Sequence, residues 1–152
     1  MISNKGFLQG MLLLCLIGLA AIAHGATEEE VSVKDQQLLP CPTSPNCVST
    51  MAAEERHAIA PFHYQKPLYE AKAELIRTFS EFPRTTLVKE EEKYLHFEIR
   101  SFLFQFVDDV EFRFDDISKT IHFRSAARSG FYDFGVNRKR MEDLRGMLED
   151  RL

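Results

Sequence analysis

The chain has 152 residues and a formal net charge of −4 at pH 7. Once an N-terminal processing segment is set aside, that length supplies one hydrophobic core and is too short for two. The mildly acidic balance excludes a bulk electrostatic grip on nucleic acid, and net charge by itself gives no reason to expect attraction to anionic lipid.

Residues 1–25 read as a secretory signal peptide. Lys5 is the single charge ahead of an apolar run over residues 11–22; small residues follow at Ala21, Ala23, Gly25 and Ala26, and then come Glu28, Glu29 and Glu30. The run falls short of the roughly 20 residues that a membrane span needs. The mature chain is therefore expected outside the cytoplasm, in the periplasm or secreted, with no stable transmembrane segment after processing. Cleavage after Ala23 and cleavage after Gly25 both fit, and an uncleaved N-terminal anchor is the alternative. Residues 26–40 are polar, acidic and without a clear period, which predicts a flexible lead-in to a single domain over residues 41–152.

Cys41 and Cys47 enclose Pro42, Thr43, Ser44, Pro45 and Asn46. In an oxidising compartment a pair this close forms a structural disulfide, and the two prolines stiffen the loop. The spacing is wider than the C-x-x-C of redox proteins, and no further ligands stand near enough in sequence for zinc. Val48, Ser49 and Thr50 read as a cap or turn. Residues 57–64 are a first strand, with Pro61 placing it at an edge or a bulge.

Pro67 suits a first helical position. Leu68, Ala71, Leu75, Ile76, Phe79 and Phe82 then recur at helical spacing, up to a stop at Pro83. Residues 85–88 are a short β-like run. Three segments of period two follow, carried by Leu95, Phe97 and Ile99, by Val110, Phe112 and Phe114, and by Ile121 and Phe123. Each buries one side and wets the other, as antiparallel strands over a one-sided core do. Asp115 and Asp116 mark a turn. Residues 102–106 are apolar on both faces and read as a central strand covered on both sides or the mouth of a cavity. Met141, Leu144, Leu148 and Leu152 give a final helix its apolar stripe, with Asn137 as its N-cap. The predicted class is α+β: an antiparallel sheet of about five strands with an internal and a C-terminal helix on one face.

Three separated stretches, CPTSPNCVS, VDDVEFRFD and IHFRSAARSGFYDFGVNRKR, resemble the family known as domain of unknown function 1499, a likeness that covers most of the mature chain, residues 41–145. That resemblance implies a fold and carries no activity. The order of elements also resembles a reduced helix-grip fold, in which a long helix closes a curved sheet around an apolar pocket; this likeness is topological only.

The richest polar stretch is residues 121–140. His122 and Arg124 face outward on one strand, Arg128 sits in the loop that follows, and Arg138 lies in the first turn of the last helix, whose free N–H groups favour an anion. Arg124, Ser125, Arg128, Asn137 and Arg138 therefore make a candidate anion site for a small molecule, a lipid or an envelope protein. The competing account pairs these arginines with Asp109, Glu111 or Asp133 as architecture. Asp108 and Asp109 point to opposite faces of a strand, so they do not converge; Asp109, Glu111 or His122 would carry a small hydrolase or transferase if one existed here. An assembly or scaffold protein is a third class, marked by a large exposed apolar patch beside the arginines. No metal signature and no cofactor motif is found. The phenylalanines are expected to build the core, the sharper alternative being an apolar-ligand pocket lined by Phe102, Phe104 and Phe106. The function expected first is non-enzymatic binding.

Overall fold

The computed structural model describes residues 37–152. The signal-peptide reading and all but the last residues of the lead-in lie outside the described residues. Six strands and two helices follow in the order β1 (Cys47–Ser49), β2 (Phe62–His63), α1 (Leu68–Phe79), β3 (Thr85–Glu90), β4 (Tyr94–Arg100), β5 (Val107–Asp115), β6 (Thr120–Ala127) and α2 (Val136–Leu148). The class is α+β, as the periodicities require. The strands form one antiparallel sheet in the order β1-β6-β5-β4-β3, with β2 pairing the other end of β6.

The alternation in β4, β5 and β6 sends Leu95, Phe97, Val110, Phe112, Ile121 and Phe123 to one face, where they are fully buried. Both helices cover that face. Ala71, Leu75 and Phe79 of α1 and Met141, Leu144 and Leu148 of α2 complete the core. Phe79 is its centre: its ring lies 4.8 Å from that of Phe97 and 5.2 Å from that of Phe112, both edge-on, the arrangement aromatic quadrupoles favour. Side chains of both helices and of the sheet thus meet in one core.

Several local expectations are corrected. Residues 48–50 are not merely a turn: Cys47–Ser49 pair with β6, and the turn begins at Thr50. The strand expected over residues 57–64 shrinks to Phe62–His63, because Pro61 has no N–H to give a ladder. Pro67 is the N-cap of α1 rather than its first residue, and the helix ends at Phe79, ahead of Pro83. Residues 102–106 form no strand at all. They are an exposed β4–β5 loop with Gln105 at φ 54°. An apolar segment becomes a central strand only where two layers exist to cover it, and here both helices lie on a single face. Cys41 and Cys47 are joined, with Cα atoms 5.7 Å apart.

Candidate functional site

The sheet divides the five residues of the candidate anion site. On the core-facing side of β6, Ser125 is fully buried and donates to Asn137 Oδ1. Asn137 is not the N-cap of α2. That place belongs to Gly135 at φ 75°, a left-handed conformation that glycine adopts without cost. The capping acceptor is Asp133, which takes the Gly135 N–H on Oδ1 and the Asn137 N–H on Oδ2, both at 3.0 Å. Asn137 is instead the second helical residue, fully buried. Its Oδ1 also accepts from Arg140 Nη1 at 2.9 Å; its Nδ2 donates to Asp133 Oδ2 at 2.9 Å and to the Asn46 carbonyl at 3.3 Å. Arg140 continues the chain to Asp108 Oδ2 at 2.6 Å. This inner network fastens the cysteine loop, β5, β6 and α2 together.

Arg138 projects elsewhere and donates to the carbonyls of Ala58 and Arg56, each at 2.9 Å. It staples the segment after β1 to α2. Arg124 and Arg128 lie on the sheet's outer face. Arg128 grips Asp109 with two bonds, Nε to Oδ2 at 2.8 Å and Nη2 to Oδ1 at 2.6 Å, and reaches Glu98 Oε1 at 2.5 Å. Arg124 Nη1 meets Glu111 Oε2 at 3.2 Å. The predicted five therefore do not assemble into one open site, because adjacent β6 residues face opposite ways. Asp108 turns inward and Asp109 outward for the same reason, as the strand period requires.

On the outer face, burial pushes the Asp109 carboxyl up, but hydrogen bonds from His96 and Arg128 outweigh it and hold its pKa at about 2. In turn, the bond to Asp109 and the one to Glu98 raise the pKa of the Arg128 guanidinium. A carboxylate so depressed adds stability at pH above its unfolded value, and that contribution is lost as pH falls through the folded value. Replacing Arg128 with alanine should move the Asp109 titration upward toward the ordinary range near 4, so that the loss on acidification begins at higher pH. Carbon-detected NMR titration of the Asp109 carboxyl checks this; an unmoved midpoint would show that Arg128 does not set it.

Asp109, Glu111 and His122 share the outer face but not a focus. Asp109 is held by His96 and Arg128, and Glu111 by the Tyr94 hydroxyl at 2.7 Å and by Arg124. His122 Nδ1 meets Thr50 Oγ1 at 3.3 Å; burial, and then the nearby Arg113 charge, lower its pKa. Each group is committed to its own partner. Beside them, a shallow groove of about 550 Å³ runs between residues 39–42 and the strand ends at Asp109, Arg124 and Arg128. Arg124 Nε is buried there without an acceptor among the described residues. No three His, Cys, Asp or Glu side chains among the described residues are placed to hold a metal ion.

A second exposed feature lies past the strand ends. The β4–β5 loop leaves from Arg100 and returns at Val107; the β6–α2 loop leaves after Ala127, which pairs with Asp108. Both loops thus emerge side by side, joined where Arg128 N–H donates to the Val107 carbonyl at 2.9 Å. The first carries Phe102, Leu103, Phe104 and Phe106. The second carries Phe131, Tyr132 and Phe134, with Val136 opening α2. All eight are between 48% and 86% exposed. Phe104 stacks on Phe106 at 5.5 Å, and Tyr132 meets Phe134 edge-on at 5.1 Å, so the rings pack on each other rather than on the core. Eight exposed apolar side chains on two adjacent loops differ from the scattered single exposures that are normal for a surface. Its sequence signal is the framing of the second run by Ser129-Gly130 and Gly135, residues of a loop rather than of a strand.

No helix among the described residues is long and apolar enough to cross a membrane. Neither the curated proteins nor the solved structures contain a match to this chain. A family model does match, over residues 37–148, and its description is a protein of unknown function. That span takes in the cysteine loop, the whole sheet and α2 through its last residue, and the chain belongs to this family, DUF1499.

Proposed function

We propose that this protein is a non-enzymatic extracytoplasmic binding domain that docks on a lipid bilayer through the β4–β5 and β6–α2 loops. The carrying observation is the pair of aromatic loops, exposed and adjacent at one end of the sheet. Both are connecting loops at the strand ends, and aromatic side chains suit the boundary between headgroups and acyl chains. Arg84 flanks the first loop, its guanidinium 5.6 Å from the centre of the Phe102 ring, a charge that favours an anionic surface. The single acid within the two loops, Asp133, is turned inward to cap α2. Net charge over the whole chain conceals this local arrangement. The Cys41–Cys47 bond supports the extracytoplasmic placement.

The test is co-sedimentation with large unilamellar vesicles of phosphatidylcholine and phosphatidylglycerol. Wild-type protein should partition onto them, more strongly as phosphatidylglycerol increases. The double substitution Phe102→Ser and Phe134→Ser should cost about 3 kcal/mol of binding, roughly a hundredfold, while thermal unfolding stays where it was. Wild-type protein that stays in the supernatant, or a double variant that binds equally, ends the proposal. A second reading, an anion held in the outer groove, has the free Arg124 Nε–H in its favour, but Asp109 and Glu111 beside it oppose a negative guest.

A further inference from the structure

The β6–α2 loop is anchored at both ends. Arg128 donates its N–H to the Val107 carbonyl at the start, and Asp133 caps α2 near the finish. Between these anchors stand Ser129, Gly130, Phe131 and Tyr132, all exposed. Among the described residues, one hydrogen bond ties these four to the rest of the molecule. Asn46 Nδ2 donates it to the Gly130 carbonyl, at 2.6 Å.

Asn46 is buried and lies inside the ring that the Cys41–Cys47 bond closes. Its carbonyl accepts the Ala127 N–H at 3.0 Å and Asn137 Nδ2 at 3.3 Å, which fixes its backbone. Its side chain is fixed separately, by Ser44 of the same ring, whose Oγ–H donates to Asn46 Oδ1 at 2.8 Å. The Gly130 carbonyl only accepts, so the amide must turn its nitrogen toward Gly130 and its oxygen toward Ser44. No hydrogen bond or ion pair among the described residues ties residues 40–43 to the strands. Cys41 is joined to the sheet through Cys47, which pairs with Ala126 of β6. The disulfide therefore keeps Ser44 over Asn46, Ser44 orients the amide, and the amide holds the middle of the aromatic loop.

We propose that the Cys41–Cys47 disulfide regulates membrane docking, an inference that rests on the docking reading above. Closed, the bond braces the β6–α2 loop through Ser44 and Asn46 in the arrangement that offers Phe131, Tyr132 and Phe134 to the bilayer. Opened by a dithiol, it frees Ser44, the amide loses its orientation and the loop slackens. In that step one thiolate of the dithiol attacks a disulfide sulfur, the S–S bond breaks, and a mixed disulfide and one cysteine thiolate result. The second thiolate of the dithiol displaces the other cysteine. The dithiol is oxidised to a disulfide by two electrons, and the two protons it has shed convert Cys41 and Cys47 to thiols. A slack loop lowers the fraction of molecules set for docking, and the apparent affinity falls by that fraction.

Two measurements on the intact protein separate the brace from the docking. The first is ¹⁵N relaxation without vesicles. Order parameters at residues 129–132 should be about 0.8 in the oxidised protein and below about 0.6 after dithiothreitol, with β4, β5 and β6 rigid in both. The second is co-sedimentation with the phosphatidylcholine and phosphatidylglycerol vesicles. Reduced protein should bind about tenfold more weakly, as when a tenth of the molecules remain set. Asn46→Asp keeps the size and removes the donor, so it should reproduce both changes with the disulfide closed. Should that variant unfold, Ser44→Ala, which removes only the orienting hydroxyl, should shift both readouts in the same direction. Order parameters equal in the two redox states overturn the proposal. Loss of the whole sheet on reduction overturns it as well, because the bond then holds the fold rather than one loop. A loop that slackens while vesicle binding stays equal overturns the regulation. Oxidised protein that leaves the vesicles bare ends the docking reading and the regulation with it, and the relaxation data still report whether the brace exists.

Discussion

Replacing Asn137 with alanine is expected to lower the unfolding free energy by about 3 kcal/mol, read as a drop in the urea midpoint at unchanged slope. The side chain is fully buried and uses both ends of its amide, accepting from Ser125 and Arg140 and donating to Asp133 and the Asn46 carbonyl. Alanine leaves those partners in a dry place with nothing to bond, and each orphaned group costs about 1–3 kcal/mol. The Arg140–Asp108 pair at 2.6 Å, mostly buried, loses its neighbour at the same time. Asn137→Asp keeps the size but replaces two donor hydrogens with negative charge beside Asp133, so it should be no better. Arg138→Ala, one residue on, removes only exposed bonds to two carbonyls and should cost less than about 1 kcal/mol. Equal effects at positions 137 and 138 would mean that the inner network does not hold the helix start.

Phe79→Ala should cost about 4 kcal/mol. The ring has no exposure, and beyond its two strand partners it touches Phe82 at 5.3 Å between centroids. It stands where α1 crosses the middle of the sheet. The rigid strands on one side and the helix on the other leave little means of closing the resulting cavity. Phe79→Leu retains most of the apolar volume and should lose much less. A loss below about 1.5 kcal/mol for alanine, by the same urea measurement, would show that the site collapses and that α1 is not packed as described. Phe79 packs in the core, away from the aromatic loops, whereas Asn137 holds Asp133 of the β6–α2 loop. Phe79→Ala therefore separates stability from binding: in the folded fraction, vesicle partition should be unchanged.

What the sequence determined by itself was everything governed by near neighbours. Period two in residues 94–100, 109–114 and 121–124 marks three strands, and the same alternation places Asp108 opposite to Asp109. Period 3.6 with Pro67 ahead of it marks α1. The spacing of Cys41 and Cys47 marks a disulfide. Each follows from repulsions, dihedral preferences or loop closure within a few residues. The tertiary structure alone decided the rest. Which carboxylate neutralises Arg128 depends on strand register, since Asp109 is 19 residues away and Glu98 is 30. Asn137 has the composition of a cap, yet Asp133 takes the cap because the chain turns at Gly135 and the β6–α2 crossing pulls Asn137 inside. The ring of His57 is set by tertiary structure as well: the Cys47 carbonyl, 10 residues earlier, bonds its Nδ1. The phenylalanines make the sharpest contrast. Phe112 and Phe123 are buried and Phe104 and Phe134 are exposed, though all four are the same residue. Burial belongs to the layer above a side chain, and the two helices extend over the strands but not over the loops beyond them.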